Sequence, residues 1–248
     1  KDQVITVKDN TAPTFDVPAA YTVYRDANCE YDINPDITGR PTNVLDNCTP
    51  TVQIVVTYTD ADPVQIPGQC ASNVTITRTW TVTDACGNAT SQDQVITVKD
   101  NIAPTFDLPG DTTLYGDADC DYDIDPDNTG RPTNLEDNCT IEESDFTVTY
   151  VDVASEVSPC VTTITRTWTV TDLCGNEATA DQIITLTDNT TPTFDVPAAY
   201  TAYRDAACNY DIDPDITGRP DNVLDNCTPT AQIVVDYTDA APVQIAGE

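Results

Sequence analysis

The sequence predicts an all-β protein built as a linear array of tandem immunoglobulin-like β-sandwich repeats of about 90 residues. Three observations predict it. A block of sequence returns at a nearly fixed period, apolar residues alternate with polar ones at period two, and Pro and Gly interrupt the pattern about every 8 to 15 residues.

The returning block is Asp9-Asn10-Thr11-Ala12-Pro13-Thr14-Phe15. It recurs as Asp100-Asn101-Ile102-Ala103-Pro104-Thr105-Phe106 and as Asp188-Asn189-Thr190-Thr191-Pro192-Thr193-Phe194, at Pro-to-Pro periods of 91 and 88 residues. Cys29, Cys120 and Cys208 correspond, as do Cys48, Cys139 and Cys227, and Trp80 matches Trp168. The predicted organisation is the last strand of a preceding repeat (1–10), two whole repeats (11–101 and 102–189) and a partial repeat (190–248). Lys1 opens inside a strand pattern, so the chain reads as an excerpt. The first and third copies are nearly identical where they overlap, the mark of duplication that builds length.

In Val74-Thr75-Ile76-Thr77-Arg78-Thr79-Trp80-Thr81-Val82-Thr83 every second residue is Thr. The opposite face carries Val74, Ile76, Trp80 and Val82, which predicts a half-buried antiparallel strand. Ile54, Val56 and Tyr58 alternate similarly, and Val95–Val98 closes the repeat as its last strand. No segment shows a capped helical period.

Net charge is −32, from 42 acidic and 10 basic residues. Phosphate binding needs Lys and Arg, so nucleic acid is excluded as a natural partner and an anionic membrane surface is disfavoured. No apolar run is long enough to insert in a membrane. The like charges repel one another, which points to a bound cation, and Ca²⁺ is the cation that hard oxygen ligands select. With no His, Ser–His and Cys–His nucleophile pairs are impossible within these residues, and no set of carboxylates converges on a cleft. The expectation is a non-enzyme.

Ten cysteines at regular spacing imply an oxidising, extracellular compartment, and zinc-type spacings are absent. Cys70 and Cys86 flank one continuous strand, which places them at opposite ends of the repeat, and Cys48 and Cys70 flank another. The remaining pairing within a repeat is Cys29–Cys70 with Cys48–Cys86, and in the second repeat Cys120–Cys160 with Cys139–Cys174. Cys208 and Cys227 are then expected to pair beyond residue 248.

Two motifs carry a family resemblance. Asp46-Asn47-Cys48-Thr49 recurs at 137–140 and 225–228, and Thr83-Asp84-Ala85-Cys86-Gly87-Asn88 recurs at 171–176. With the Asp-Asn-x-x-Pro-Thr-Phe junction these resemble hyalin-type (HYR-like) repeats of very large bacterial surface adhesins, among them gliding-motility adhesins and cell-surface filaments. The resemblance covers essentially the whole chain. It implies an immunoglobulin-type fold, export to the cell surface, an adhesive or spacer role and no catalytic residues. Cys70 and Cys160 lie outside that pattern.

Two places are candidates for Ca²⁺. One is the loop Asp32, Asn34 and Asp36, with counterparts Asp123, Asp125 and Asp127 and Asp211, Asp213 and Asp215, where carboxylates at i, i+2 and i+4 can converge on one ion. It departs from an EF-hand in the position of its Gly and in having Asn43, Asn134 and Asn222 where the bidentate Glu belongs. The other is the junction: Asp9 and Asn10, Asp100 and Asn101, Asp188 and Asn189. It resembles the linker of calcium-rigidified cadherin repeats, and Asp84 or Asp46 from loops at the same pole would complete it. Arg78 and Arg166, on otherwise apolar faces, and Arg40, Arg131 and Arg219 are read as side chains whose stems cover apolar surface or whose charges pair with nearby Asp, rather than as ligand-binding groups.

The expected function is a disulfide-stapled, cation-stiffened stalk or filament of a long secreted or cell-surface protein, its partners being neighbouring repeats and other copies in a filament. The alternatives are a carbohydrate- or protein-binding module repeated for avidity, with Tyr21, Tyr24 and Tyr31 (Tyr200, Tyr203 and Tyr210 in the third copy) as contacts, and lateral self-assembly into a sheath.

Overall fold

A computed structural model describes residues 1–158, 160–241 and 243. The chain divides into two compact units. One comprises residues 1–108, 132–150 and 168–180, and the other residues 109–131, 151–167 and 181 onward. No helix among the described residues is long and apolar enough to cross a membrane.

The first repeat is a sandwich of a small and a large sheet. Strands β1 (Thr14–Asp16) and β3 (Thr42–Leu45) pair antiparallel. The large sheet runs in the order β2 (Tyr21–Tyr24), β7 (Ala89–Lys99), β6 (Val74–Thr83) and β4 (Val55–Asp60), with β5 (Val64–Gln65) also pairing with β6. The Thr-rich segment is β6, and its burial alternates as its spelling requires: Val74, Ile76, Trp80 and Val82 are buried and the Thr residues face outward. Phe15 of β1 packs on Trp80 and Val82, closing the sandwich, and Val23, Val74, Ile76, Ile96 and Val98 form a second cluster. Gln94, itself buried, accepts from Trp80 Nε1 (3.1 Å) and donates to the Ala19 and Thr38 carbonyls (3.0 and 2.7 Å). A fully bonded amide thus ties β6 and β7 to the segment before β2 and to Thr38 without leaving a polar group unpaired.

Arg78 sits on the apolar face of β6 and is 1 % exposed. Its guanidinium makes two bonds to Asp60 (2.6 and 2.9 Å), one to Thr38 Oγ1 (2.8 Å) and one to the Ile33 carbonyl (2.7 Å), under the Tyr58 ring at 4.4 Å. Arg166 repeats this with Asp152, Thr129 and Ile124. Pairing with a nearby Asp is one of the two roles expected for these residues. Its geometry is bidentate and desolvated, where paired charge is strongest.

The second repeat carries β8 (Thr105–Asp107) paired with β10 (Thr133–Glu136), and a sheet ordered β11 (Thr147–Ser158), β12 (Val161–Thr171), β13 (Glu177–Thr187) and β9 (Thr112–Tyr115). The third copy keeps β14 (Thr193–Asp195) paired with β15 (Asp221–Leu224). Its counterparts of β2 and β4 are not strands, and Tyr203 and Val234 there are 86 % and 89 % exposed. The reason is local: β2 and β4 pair with β7 and β6, which have no counterparts in residues 190–248. Residues 1–10, expected as a last strand, also form no strand.

One element escapes the sequence pattern. Each copy contains a one-turn helix: α1 (Pro35–Thr38), α2 (Pro126–Thr129) and α3 (Pro214–Thr217). Asn34, Asp125 or Asp213 caps it by accepting from the backbone N–H two residues on, and Pro occupies the first turn. Gly39, at φ 98°, ends α1 where a Cβ would lie 3.2 Å from Pro18 Cβ.

Candidate functional site

The cysteines do not pair within repeats. Cys29 bonds Cys139, Cys70 bonds Cys174 and Cys120 bonds Cys227, with Cα separations of 5.0, 4.9 and 5.0 Å. The expected Cys29–Cys70, Cys48–Cys86, Cys120–Cys160 and Cys139–Cys174 bonds are therefore replaced by bonds between one repeat and the next. Cys227 finds its partner inside the chain rather than beyond residue 248. The strand-length reasoning identifies which cysteines share an end of a repeat, but the bonding partner of each end belongs to the neighbouring repeat. Among the described residues Cys48, Cys86, Cys160 and Cys208 are free and exposed. In the chain-entropy description each crossing, spanning 104 to 110 residues, contributes about 4–5 kcal/mol against unfolding.

The donor loop is short and tightly bonded. Asp26 Oδ1 accepts from Asn28 N and Glu30 N (2.8 and 2.9 Å), Arg25 Nη1 donates to the Cys29 carbonyl (2.7 Å), and Cys29 is held at φ 59°. The acceptor loop is the Asp-Asn-Cys-Thr motif. Asp137 Oδ2 accepts from Cys139 N and Thr140 N (2.9 and 2.8 Å), and Asn138 Nδ2 donates to the Asp26 carbonyl of the preceding repeat (2.9 Å). Asn226 makes the same bond to the Asp117 carbonyl (2.7 Å).

Beside the staples, carboxylate oxygens of Asp100, Asp137 and Asp172 lie within 4.8 Å of one another. Asp100 and Asp172 are each 5 % exposed. Asp172 is fully committed, to Cys174 N, Asn176 N and Asn176 Nδ2, all at 2.8 Å. Asp100 Oδ2, Asp137 Oδ1 and Asn138 Oδ1 are buried with no hydrogen-bond partner. Burial raises the Asp100 pKa above the usual carboxylate range, and the charges of Asp137 and Asp172 push the same way. The constellation recurs. Asp9, Asp84 and Cys86 group together at the first copy, with Asp9 Oδ2 and Asp46 Oδ1 unpartnered, and in the third copy Asp225 Oδ2 and Asn226 Oδ1 are unpartnered. With Cys139 and Cys174 held in disulfides, the donors left at the first junction are oxygens, the set that suits Ca²⁺ or Mg²⁺.

Of the residues singled out from sequence, Asp9, Asp84 and Asp100 enter these clusters, and Asp188 touches the Asp225 carboxyl. Asn10, Asn101 and Asn189 are exposed and take no part. The amides present belong to the Asp-Asn-Cys-Thr motif, whose threefold identity was the available signal. The other candidate does not converge. Asp32 accepts from Asn34 N (2.8 Å), Asn34 caps α1, and Asp36 is bridged by Arg40 (2.9 Å). Asp123 and Asp125, and Asp211 and Asp213, make the same successive turns, and Asp127 and Asp215 pair with Arg131 and Arg219. Alternate carboxylates here bond their own backbone two residues on, as turn-forming Asx residues do, rather than facing a common centre.

Tyr21 and Tyr24 are 42 % and 55 % exposed and line an open depression with Tyr31. The second copy has Thr112 in place of Tyr21, so the full set of three tyrosines is present in the first and third copies but not in the second.

No family model and no curated protein matches the chain. Among solved structures it is similar to Drosophila N-cadherin EC1-4, at 14 % identity and a TM-score of 0.33, over 73 % of this chain and 50 % of that one. Human CDH23 EC21-23 is 13 % identical at a TM-score of 0.32, over 76 % of this chain and 74 % of that one. Human mucin-like protocadherin EC1-2 is 16 % identical at 0.26, over 71 % and 98 %. The chain thus spans about half the length of the N-cadherin chain it matches.

Proposed function

We propose that this chain is a non-catalytic stalk or filament segment of a long extracellular surface protein, in which consecutive repeats are joined covalently by disulfides and stiffened by Ca²⁺ at each junction. The hyalin-type resemblance of its motifs supports the surface-adhesin setting. The observation that carries the cation is the set of buried, unpartnered oxygens on Asp100, Asp137 and Asn138 beside the Asp172 carboxylate. Three carboxylates within 4.8 Å repel one another, and a divalent ion converts that repulsion into attraction. When bound, the ion supplies positive charge only, and no chemistry. Asp100 immediately follows the last strand of one repeat, whereas Asp137, Asn138 and Asp172 belong to loops of the next. A shared ion therefore resists bending at the junction, as the disulfides resist separation.

Thermal unfolding of the whole oxidised chain in EDTA and in 10 mM Ca²⁺ tests the reading. A rise of several degrees in calcium, matched by about one ion per complete junction in titration calorimetry, supports it. An unchanged transition with no binding heat removes the ion and leaves a stalk held by disulfides alone.

A further inference from the structure

The outward side of the large sheet in the first repeat differs in charge from the rest of the chain. Residues along its strands alternate inward and outward, and all five outward residues of β6 are Thr. Register carries the pattern sideways. Thr57 and Thr59 of β4 stand opposite Thr81 and Thr79 of β6, and Thr97 of β7 stands between Thr75 of β6 and Thr22 of β2. Among the described residues of this face the charged ones are Asp93 and Lys99, which cancel, although the chain carries a net charge of −32. We propose that this threonine face is a lateral docking surface whose occupant is the same face of a second copy of the chain, so that neighbouring stalks associate side by side. The proposal is independent of the cation and of the disulfides.

Charge selects the face. Two copies repel wherever their acidic surfaces meet, and a side of zero net charge is where they approach without that cost. Desolvation is light as well. Thr79 Oγ1 donates to Asp93 Oδ1 (2.7 Å), and Thr81 Oγ1 shares a hydrogen bond with Ser91 Oγ (2.9 Å). Thr57 and Thr75 donate to the Thr81 and Val64 carbonyls (both 3.4 Å). These hydroxyls keep their partners when water leaves, so covering them orphans no polar group. The Thr methyls join the exposed Val55, Val64 and Val95 as apolar contact area. A side of β-branched residues packs on another at about 10 Å, as two sheets do in a sandwich.

Area says how many repeats take part. At about 4.8 Å between strands and about 3.3 Å per residue, the face covers about 500 Å². A stable interface takes about 800 Å² from each partner, so one face supports only a weak encounter. The second repeat offers a counterpart. The outward residues of β12 from Thr163 to Thr171 are all Thr, and Thr167 bonds Asp181 as Thr79 bonds Asp93, at 2.7 Å in each case. Its outward charges are Glu177 and Asp181, both on β13. Side-by-side stalks that engage successive repeats pass the threshold by avidity.

Sedimentation equilibrium of the whole oxidised chain, from about 5 to about 500 μM, tests the proposal. Free thiols are first blocked with iodoacetamide so that no covalent dimer forms, and EDTA is present so that no cation bridges acidic surfaces. The weight-average mass should climb with concentration towards twice that of the monomer. Thr77→Glu combined with Thr81→Glu, which places like charges at the centre of the face, should weaken association at least tenfold. Val52→Glu, at a residue 92 % exposed and outside the sheet, should leave it unchanged. Near-ultraviolet dichroism from Trp80 checks that each variant stays folded. A Thr81→Lys chain mixed with a Thr81→Glu chain should associate more tightly than either alone. A chain that stays monomeric throughout, or an association indifferent to the Glu pair, overturns the proposal. So does a monomer that binds microcrystalline cellulose through Thr81, which gives the face to a neutral glycan instead.

Discussion

Replacing Asp100 by Asn should change the sign of its effect when calcium is added. At an effective dielectric of 20, two unit charges 4.8 Å apart repel by about 3.5 kcal/mol, and Asp100 faces two such neighbours, Asp137 and Asp172. Partial exposure of Asp137 and the hydrogen bonds to Asp172 reduce this to about 1–2 kcal/mol of net relief when the Asp100 charge is removed. Asn keeps an oxygen to accept from Ile102 N and Asn138 Nδ2, as Asp100 Oδ1 now does (3.3 and 3.2 Å), so the loop is preserved. In EDTA the variant should therefore melt roughly 3–6 °C higher than the parent. In calcium the order reverses. With a dissociation constant of about 10⁻⁴ M, common in extracellular sites, 10 mM Ca²⁺ stabilises the parent by about 2.7 kcal/mol, and the variant, short of one charged ligand, by much less. Paired thermal melts of the two proteins, oxidised and at fixed ionic strength, read the crossover. A variant that melts lower than the parent by the same margin in both buffers would show Asp100 to be a structural turn residue and refute the argument.

Reduction by dithiothreitol should uncouple the repeats without unfolding the first one, because no disulfide among the described residues closes within a repeat. Retained near-ultraviolet dichroism from Trp80 reads this, and a global collapse on reduction would count against the inter-repeat pairing. Arg78→Met should cost about 2–4 kcal/mol in urea titration, because it leaves the Ile33 carbonyl short of its best donor and Asp60 without its cation. A loss below about 0.5 kcal/mol would mean the buried pair contributes nothing net. Asn34→Ala removes the α1 cap and should cost about 1 kcal/mol. Asn34→Asp should cost nothing measurable, since Asp125 and Asp213 fill that position in the other copies.

What the sequence makes legible is what has a period. The Thr ladder of β6 announces both its strand and its buried face, down to an arginine that needs an acid. That the acid is Asp60 follows from the β4–β6 register, Asp60 opposite Arg78, which no local pattern encodes. The one-turn helices are too short for a period, although the Asn-Pro or Asp-Pro pair that starts each is a cap followed by proline in the first turn. The acidic loops mislead because spacing along the chain measures proximity, not convergence. Asp123, Asp125 and Asp127 are neighbours in sequence yet bond three separate groups, while Asp100, Asp137 and Asp172 are far apart in sequence and meet. The disulfides mislead for a related reason. Strand lengths say which cysteines share an end, and a repeat viewed alone offers each only its own neighbour.

Crossing the junctions rather than closing the repeats gives the disulfides a mechanical consequence. Cys70 and Cys86 bracket β6, and Cys160 and Cys174 bracket β12, two strands that are already extended at about 3.3 Å per residue. Load applied at Cys86 passes along β6 to Cys70, through the Cys70–Cys174 bond, and along β12 to Cys160. That route is covalent throughout and has slack only in the turns at its ends. Melting the surrounding sandwich therefore cannot lengthen it by more than about 30 Å. A disulfide within one repeat would leave the junction as the weak point, whereas this arrangement lets the strand itself carry tension from staple to staple. The free thiols at Cys86 and Cys160 provide attachment points once Cys48 and Cys208 are changed to Ser. Single-molecule pulling between them should show almost no unfolding step in the oxidised chain. After reduction the 74 residues from Cys86 to Cys160 are released to about 250 Å of contour, so a step of at least about 150 Å should appear. Equal steps before and after reduction would mean that Cys70 and Cys174 do not carry the load.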